Sequence, residues 1–316
     1  MQGLVGFTGF VGGNLTRQRH YDACFNSSTI ADIAGQSFDQ LVCAGAPATM
    51  WLANKDPDAD LRNLTALADH LASAKIKRLV LISSIAVLAD VSAAQDETTG
   101  LFEQDLAYGR NRRAFEEAAR KACEKLHIIR LPALFGEGLK KNFIYDLINP
   151  LPSFLKDEAM AAIRQAVDEA AMAPFSRHYT FADAVGMWQL DRKAVAASGD
   201  EAGMRKVIED LGMSAKFFTN SQSRFQYYNV GRLADDIDTV TDADLDVTHL
   251  TAEPLMAADI HAELIGGTFE NDRPARVNEN VHTVHGPAFG RTNPYLFSKD
   301  ETLSQLRKFY ESNVPV

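Results

Sequence analysis

Over its first 142 residues the chain alternates short apolar runs with stretches whose apolar residues return every third or fourth position. The runs at 4–6, 22–26, 41–44, 78–84 and 127–131 predict strands. Arg78-Leu79-Val80-Leu81-Ile82-Ser83-Ser84 is apolar without alternation, the pattern of a strand covered on both faces. Leu61, Leu64, Leu67 and Leu71 mark a helix over 58–74, and a second helix opens at Tyr108 and runs through Arg113, Phe115, Glu116 and Ala119. Strand alternating with helix predicts an α/β fold built on a doubly wound parallel sheet. Residues 143–219 break the alternation with helical patterns at 158–171 and 201–211. Residues 220–316 return to it with a strand at 247–250, a turn and helix over 252–265, and a terminal helix. That last helix starts at Ser298 and Glu301, which have capping-box spacing, with Leu303, Leu306 and Phe309 inward.

Candidate chemistry begins at Val5-Gly6-Phe7-Thr8-Gly9-Phe10-Val11-Gly12. A strand, a glycine turn and a helix start lay a pyrophosphate on a helix N-terminus, because backbone must approach the phosphates and a Cβ would intervene. An ordinary tight turn is the alternative for three glycines alone. Ser84 falls at the carboxyl end of its strand, where ligands of parallel sheets bind. Tyr108 and Arg112 are one helical turn apart and share a face. A fixed cation beside a phenol favours phenolate and lowers its pKa, which makes the two an acid/base pair. An acid that binds ribose hydroxyls is expected about 20 residues after the glycine turn. Asn26-Ser27-Ser28 stands there instead, so nothing repels a 2′-phosphate, and Arg17 or Arg19 could add charge. NADP is therefore preferred, with NAD on a different ribose partner as the alternative. His282 and His285 are three apart, but Gly286 and Pro287 argue for a surface loop and no metal. Arg224 and Arg232 flank the aromatic run 225–228 and are candidates for a substrate diphosphate or for ordinary surface pairs.

In this order the motifs resemble the extended short-chain dehydrogenase/reductases, also described as NAD-dependent epimerase/dehydratases. The glycine turn resembles TGxxGxxG. Leu81-Ile82-Ser83-Ser84-Ile85-Ala86-Val87-Leu88 resembles the strand ending in SSxxVY, with Leu88 where tyrosine is usual. Tyr108-Gly109-Arg110-Asn111-Arg112 resembles YxxxK, and Ile129-Arg130-Leu131-Pro132-Ala133-Leu134-Phe135-Gly136-Glu137-Gly138 resembles LRxxxx(Y/F)GxG. The resemblance is good over 1–142 and returns weakly from 225. It implies a Rossmann sheet carrying Ser84, Tyr108 and Arg112 as the catalytic set. It also implies a dinucleotide held by Gly6, Gly9, Phe10, Val11, Gly12, Asn26, Ser27, Ser28, Ala44, Gly45, Ala46, Tyr108, Arg112 and Leu131, and a substrate met by Ser84, Asn142 and Arg224. The implied domains are a dinucleotide-binding domain (1–142), a helical insertion over the substrate side or a peripheral decoration (143–219), and a smaller substrate-binding part (220–316). Asn63 falls where the family has an asparagine in the helix before the serine strand, in a structural role. Two departures matter. Arg112 replaces a lysine that binds the nicotinamide ribose, and the two side chains are not interchangeable. Ile85 and Ala86 replace the acidic pair of the dehydratases, so dehydration is not expected.

The implied activity is hydride transfer at a sugar carbon of a nucleotide sugar, by a 4-keto reductase or an epimerase. The substituted lysine keeps a non-catalytic NAD(P)-binding sensor or scaffold as the alternative. Composition agrees with an enzyme: 316 residues provide ample core. A net charge of −10 argues against a nucleic-acid surface. No apolar run approaches the ~20 residues of a membrane span. The chain opens on its first strand with no room for a signal peptide, so the expectation is cytoplasmic. A homodimer is left open. Cys24, Cys43 and Cys123 are expected reduced, in or near the core.

Overall fold

The computed structural model describes residues 1–314, and Pro315 and Val316 lie outside the described residues. The chain divides into two compact units. The first comprises 1–139, 224–256 and 277–309, and the second 140–223, 257–276 and 310–314.

The first unit is built on β1 (Gln2–Val5), β2 (Ala23–Phe25), β3 (Ser37–Cys43), β4 (Lys75–Ser84), β5 (Lys125–Leu131) and the strand Val247–His249. They form one parallel sheet in the order Val247–His249, β5, β4, β3, β1, β2. Because side chains alternate along a strand, each strand feeds two cores. Leu4, Val42, Val80, Ile82, Ile129 and Leu131 pack on one face with Leu15 of α1 (Phe10–Gln18) and with Leu233, Ile237 and Val240. Val5, Leu41, Cys43, Leu79, Leu81 and Ile128 pack on the other, with α2 (Met50–Lys55) and α3 (Pro57–Ala72) following β3 and α4 (Ala107–Ala119) following β4. Leu64, Ala68 and Leu71 of α3 and Phe115 and Ala119 of α4 fill this second core. The doubly wound parallel sheet of the sequence reading is thus the observed fold. The chain leaves β1 toward β2 on one side and continues at β3 on the other. The order reverses between β1 and β3, the place where such sheets bind ligands.

The second unit holds helices Phe143–Ile148, Asp157–Ala166, Glu169–His178, Arg192–Ser198, Glu201–Asp210 and Ala257–Leu264. Its core centres on Leu155, Met160, Ile163, Phe175, Tyr179 and Ile208. Two expectations for this region are corrected. The single helix over 158–171 is two, because the chain is extended at Val167 and the Asp168 carboxylate starts the next helix by accepting from the Ala171 N–H at 2.9 Å. A three-stranded antiparallel sheet (Phe154–Leu155, Met187–Leu190, Tyr179–Ala182) also stands where only helix was expected. Its strands span two to four residues, too short for alternation to register.

The capping box is present, with Ser298 N–H donating to Glu301 at 2.8 Å and Glu301 N–H donating to the Ser298 hydroxyl at 3.2 Å. Leu306 is buried, while Leu303 and Phe309 are half-buried. Cys43 is buried and Cys123 half-buried, but Cys24 is exposed, because β2 is an edge strand and Cys24 points off it. All three are free thiols. Among the described residues no helix is long and apolar enough to cross a membrane.

Candidate functional site

The glycine turn sits at the carboxyl end of β1, against the loop after β3. The Gly6 N–H donates to the Phe25 carbonyl at 2.7 Å, and the Ala44 N–H donates to the Val5 carbonyl at 2.9 Å. The three glycines serve different ends. Gly6 has φ +88, and a Cβ there would lie 2.5 Å from the Ala44 carbonyl oxygen; one on Gly12 would lie 2.1 Å from the Gly6 oxygen. The protein's own packing therefore requires both. Gly9 is exposed, and its Cβ would meet only the Gly6 oxygen, at 3.3 Å, so its open side is available to a ligand. Gly9 also precedes α1, whose first turn has no side-chain cap and no acidic residue. A helix start with uncapped N–H groups and an open glycine in front of it is a cradle for a phosphate, and the residues fit a dinucleotide pyrophosphate there.

Asn26 closes β2. Its side-chain oxygen accepts from the Ser28 N–H at 2.9 Å, and its own N–H donates to Thr29. Ser27 and Ser28 are exposed beside it. The two arginines considered for a 2′-phosphate are corrected: Arg19 is forked onto Asp238 and the Ala234 carbonyl, and Arg17 pairs with Glu137 at 3.1 Å. The Phe135–Gly138 loop is tied to α1 through the Asn14 amide, which donates to the Phe10 and Glu137 carbonyls at 2.9 Å each.

Ser84 ends β4 and pairs in register with Leu131, the buried end of β5. Its hydroxyl accepts from the Ala86 N–H at 3.2 Å. Tyr108 stands in the first turn of α4, its N–H held by the Asn54 side chain of α2 at 2.9 Å. A Cβ on Gly109 would lie 2.0 Å from the Ala86 carbonyl oxygen, so glycine lets α4 close onto the chain after β4. This brings Tyr108 close enough to Ser84 for that hydroxyl to pull the phenol's pKa down.

Arg112 is buried beneath the tyrosine, its guanidinium carbon 3.9 Å from the ring centroid. Its Nη1 donates to Asp60 Oδ2 at 2.5 Å and its Nη2 to the Pro47 carbonyl, in the loop after β3. Its Nε is buried without a hydrogen-bond partner. Burial pushes the Tyr108 phenol up, while the Arg112 charge and the Ser84 hydroxyl pull it down and Asp60 pushes it up again. The net direction is upward. The expectation of a lowered phenol pKa is therefore corrected: the cation is there, but burial and its own counter-ion outweigh it.

Asn142, at φ 102, caps Phe143–Ile148 in the second unit, its side-chain oxygen accepting from the Ile144 and Tyr145 N–H groups at 3.1 and 3.2 Å. Arg224 is exposed on the strand Arg224–Phe225, paired antiparallel with Leu255–Met256. Arg232, the other flanking arginine, is forked onto Asp236. His282 and His285 lie in irregular chain as expected, and among the described residues no group of three metal-type ligands converges. Asn63 is exposed. Asp60, one turn earlier on α3, faces the tyrosine helix instead. The sequence reading missed it because a carboxylate near a helix start reads as a solvated residue. It also missed Glu116, a carboxylate with no exposed surface, clamped by Arg130 and by the Ser83 hydroxyl at 2.6 Å.

No protein-family model matches the chain, and no curated protein matches it. Solved structures do. A dTDP-4-dehydrorhamnose reductase from Yersinia enterocolitica superposes with a TM-score of 0.59 at 13% identity, covering 98% of each chain. MoeE5 in complex with UDP-glucose and NAD gives 0.60 at 14% identity over 99% of each chain. A UDP-N-acetylglucosamine 4-epimerase from Methanobrevibacter ruminantium M1 gives 0.60 at 10% identity, over 98% of this chain and 96% of that one. At these identities the likeness is one of fold.

Proposed function

We propose that the chain is an NAD(P)-dependent oxidoreductase of the extended short-chain dehydrogenase/reductase type that reduces the carbonyl of a nucleotide-activated keto-sugar. The observation that carries this reading is the placing of Tyr108 beside Ser84 at the carboxyl end of β4, where Gly109 lets α4 close onto the chain after that strand, in the same sheet as the open glycine turn. Fold neighbours that include a dTDP-4-dehydrorhamnose reductase and a protein in complex with UDP-glucose and NAD support the substrate and cofactor classes.

The dinucleotide would lie with its pyrophosphate on Gly9, Phe10, Val11 and Gly12, its adenosine end toward Asn26, Ser27, Ser28 and the 44–46 loop, and its nicotinamide end toward Leu131, Tyr108 and Arg112. When bound, it supplies the hydride. Ser84 hydrogen-bonds the substrate oxygen, and Tyr108 gives that oxygen its proton. A phenol held above its ordinary pKa of 10.0 is protonated at neutral pH. That is the form a carbonyl reduction consumes. Arg112 sits as a fixed charge under the Tyr108 ring. In the presence of a dehydrated nucleoside-diphosphate 4-keto-sugar, the absorbance of reduced nicotinamide should fall in proportion to product. An epimerase would convert its substrate with no net change in that band.

Gly9→Val should abolish dinucleotide binding and leave the melting temperature near the parent's. The added carbons enter the open side of the turn, and φ −78 at this position suits valine. Retained binding in calorimetry would remove the pyrophosphate from this turn.

With Arg17 and Arg19 committed to carboxylates, the NADP preference rests on the absence of an acid at 26–28. Aspartate at position 26 can keep the turn, since its oxygen can still accept from the Ser28 N–H. Asn26→Asp should therefore weaken NADP by at least about tenfold more than NAD, through like-charge repulsion of the 2′-phosphate. Equal losses would show that residue 26 does not face the adenosine ribose.

A further inference from the structure

We infer that Asp60 is a positioning residue for the proposed reaction: its buried ion pair with Arg112 fits an arginine into the place of a lysine and tempers the cation beneath Tyr108. The inference rests on the proposed reading of the site. Its physical basis is the geometry of one cluster. The Asp60 and Arg112 side chains are 6% and 3% exposed, and they meet at 2.5 Å. The same Asp60 oxygen accepts from the Asn111 amide at 3.0 Å, and that amide also donates to the Pro57 carbonyl at 3.0 Å. On its other arm Arg112 reaches the Pro47 carbonyl. The planar fork thus spans α3 on one side and the loop after β3 on the other, while its face lies on the Tyr108 ring. A lysine ammonium is a single point charge and cannot hold both arms and the ring face at once.

Stability alone is a weak reason to keep such a pair, because a buried ion pair gains little over apolar packing of equal volume. Its placement gives a better one. The charged or hydrogen-bonding side chains that face Tyr108 are Arg112 on its own helix, Asp60 from α3 and Ser84 from the end of β4, while Asn54 of α2 holds its backbone N–H. Without Asp60 the phenol would sit on an uncompensated guanidinium and lose its proton more readily. With Asp60 the tyrosine feels a neutral pair and stays a donor.

Tyr108 can be titrated without turnover, as the tyrosinate absorbance difference between each protein and the same protein carrying Tyr108→Phe. In Asp60→Asn the Tyr108 midpoint is expected to fall by about one pH unit or more, and the high-pH limb of the reductive rate should fall with it. Asp60→Asn/Arg112→Met removes both charges, so it should fold even where Asp60→Asn does not. Its midpoint should lie below that of Arg112→Met alone, which keeps the carboxylate. Arg112→Lys alone should lose turnover, because an ammonium cannot hold both arms and the ring face. An unmoved midpoint in Asp60→Asn, or equal midpoints in the two Arg112→Met proteins, would overturn the Asp60 inference with the oxidoreductase reading intact. A parent that binds dinucleotide but turns over no carbonyl would overturn that reading instead, whatever the midpoints.

Discussion

Tyr108→Phe should lower turnover by about 10²–10⁴-fold, the usual loss when a positioned proton donor is removed. Dinucleotide affinity should stay near the parent's, because the glycine turn at the end of β1 is untouched. The ring remains, so its stacking on Arg112 and the packing of α4 are kept, and the melting temperature should change little. The loss should appear in kcat rather than KM, since the phenol's proton is needed only as the carbonyl oxygen gains charge. The parent's pH profile follows from the raised phenol pKa. Reduction needs the protonated form, so its rate should hold across neutral pH and fall only as pH rises through a midpoint above the ordinary 10.0. Oxidation of the alcohol needs the phenolate and should rise over the same limb. If Tyr108→Phe turns over like the parent, Tyr108 is not the acid.

The largest effect on stability is expected at Arg130. Its side chain is 2% exposed and grips Glu116 with two hydrogen bonds, at 3.0 and 2.7 Å, beneath Ser83. Its remaining arm points to His249 Nε2 at 3.3 Å. Burial pushes the Glu116 carboxyl up, but the Arg130 hydrogen bonds and charge, together with Ser83 and Arg113, hold it below its ordinary value of 4.5. Arg130→Met leaves Glu116, a charge with no exposed surface, with only the Ser83 hydroxyl and Arg113 as partners, a loss of up to about 3–5 kcal/mol. Denaturant unfolding should show this loss, and adding Glu116→Gln should recover part of it. The sign of the pH effect follows from the lowered carboxyl. Its contribution is full above the unfolded pKa and is lost as pH falls through the folded one. The parent should therefore lose stability over that acid range, and Arg130→Met should lose less of it. Equal stability of Arg130→Met and the parent would mean that the pair contributes nothing.

The sheet was legible because β1 runs into a glycine turn, β4 is an apolar run closed by two serines, and α3 carries regular leucine spacing. The capping box at Ser298 was legible as spacing. What could not be read depends on who is buried beside whom. Asp60 and Arg112 are 52 residues apart, and no periodicity links them. Whether a cation lowers a phenol depends on its counter-ion and on burial, which appear only when α3, α4 and the loop after β3 are packed together. Arg17 and Arg19 looked available for a phosphate because Glu137 and Asp238 are 120 and 219 residues away in sequence. The strands at 154–155, 179–182 and 187–190 were too short to show alternation, and Asn142 is a helix cap that reads like any polar loop residue.

The central claim, hydride chemistry completed by a proton from Tyr108, is tested most directly by isotope transfer. The protein is incubated with nicotinamide dinucleotide deuterated at the hydride position and a panel of nucleoside-diphosphate keto-sugars, and the products are weighed by mass spectrometry. The account predicts a product carrying a single deuterium from the parent and next to none in the same time from Tyr108→Phe. A parent that binds the dinucleotide but leaves every substrate unlabelled would contradict it, and would leave a protein that holds the cofactor without using it.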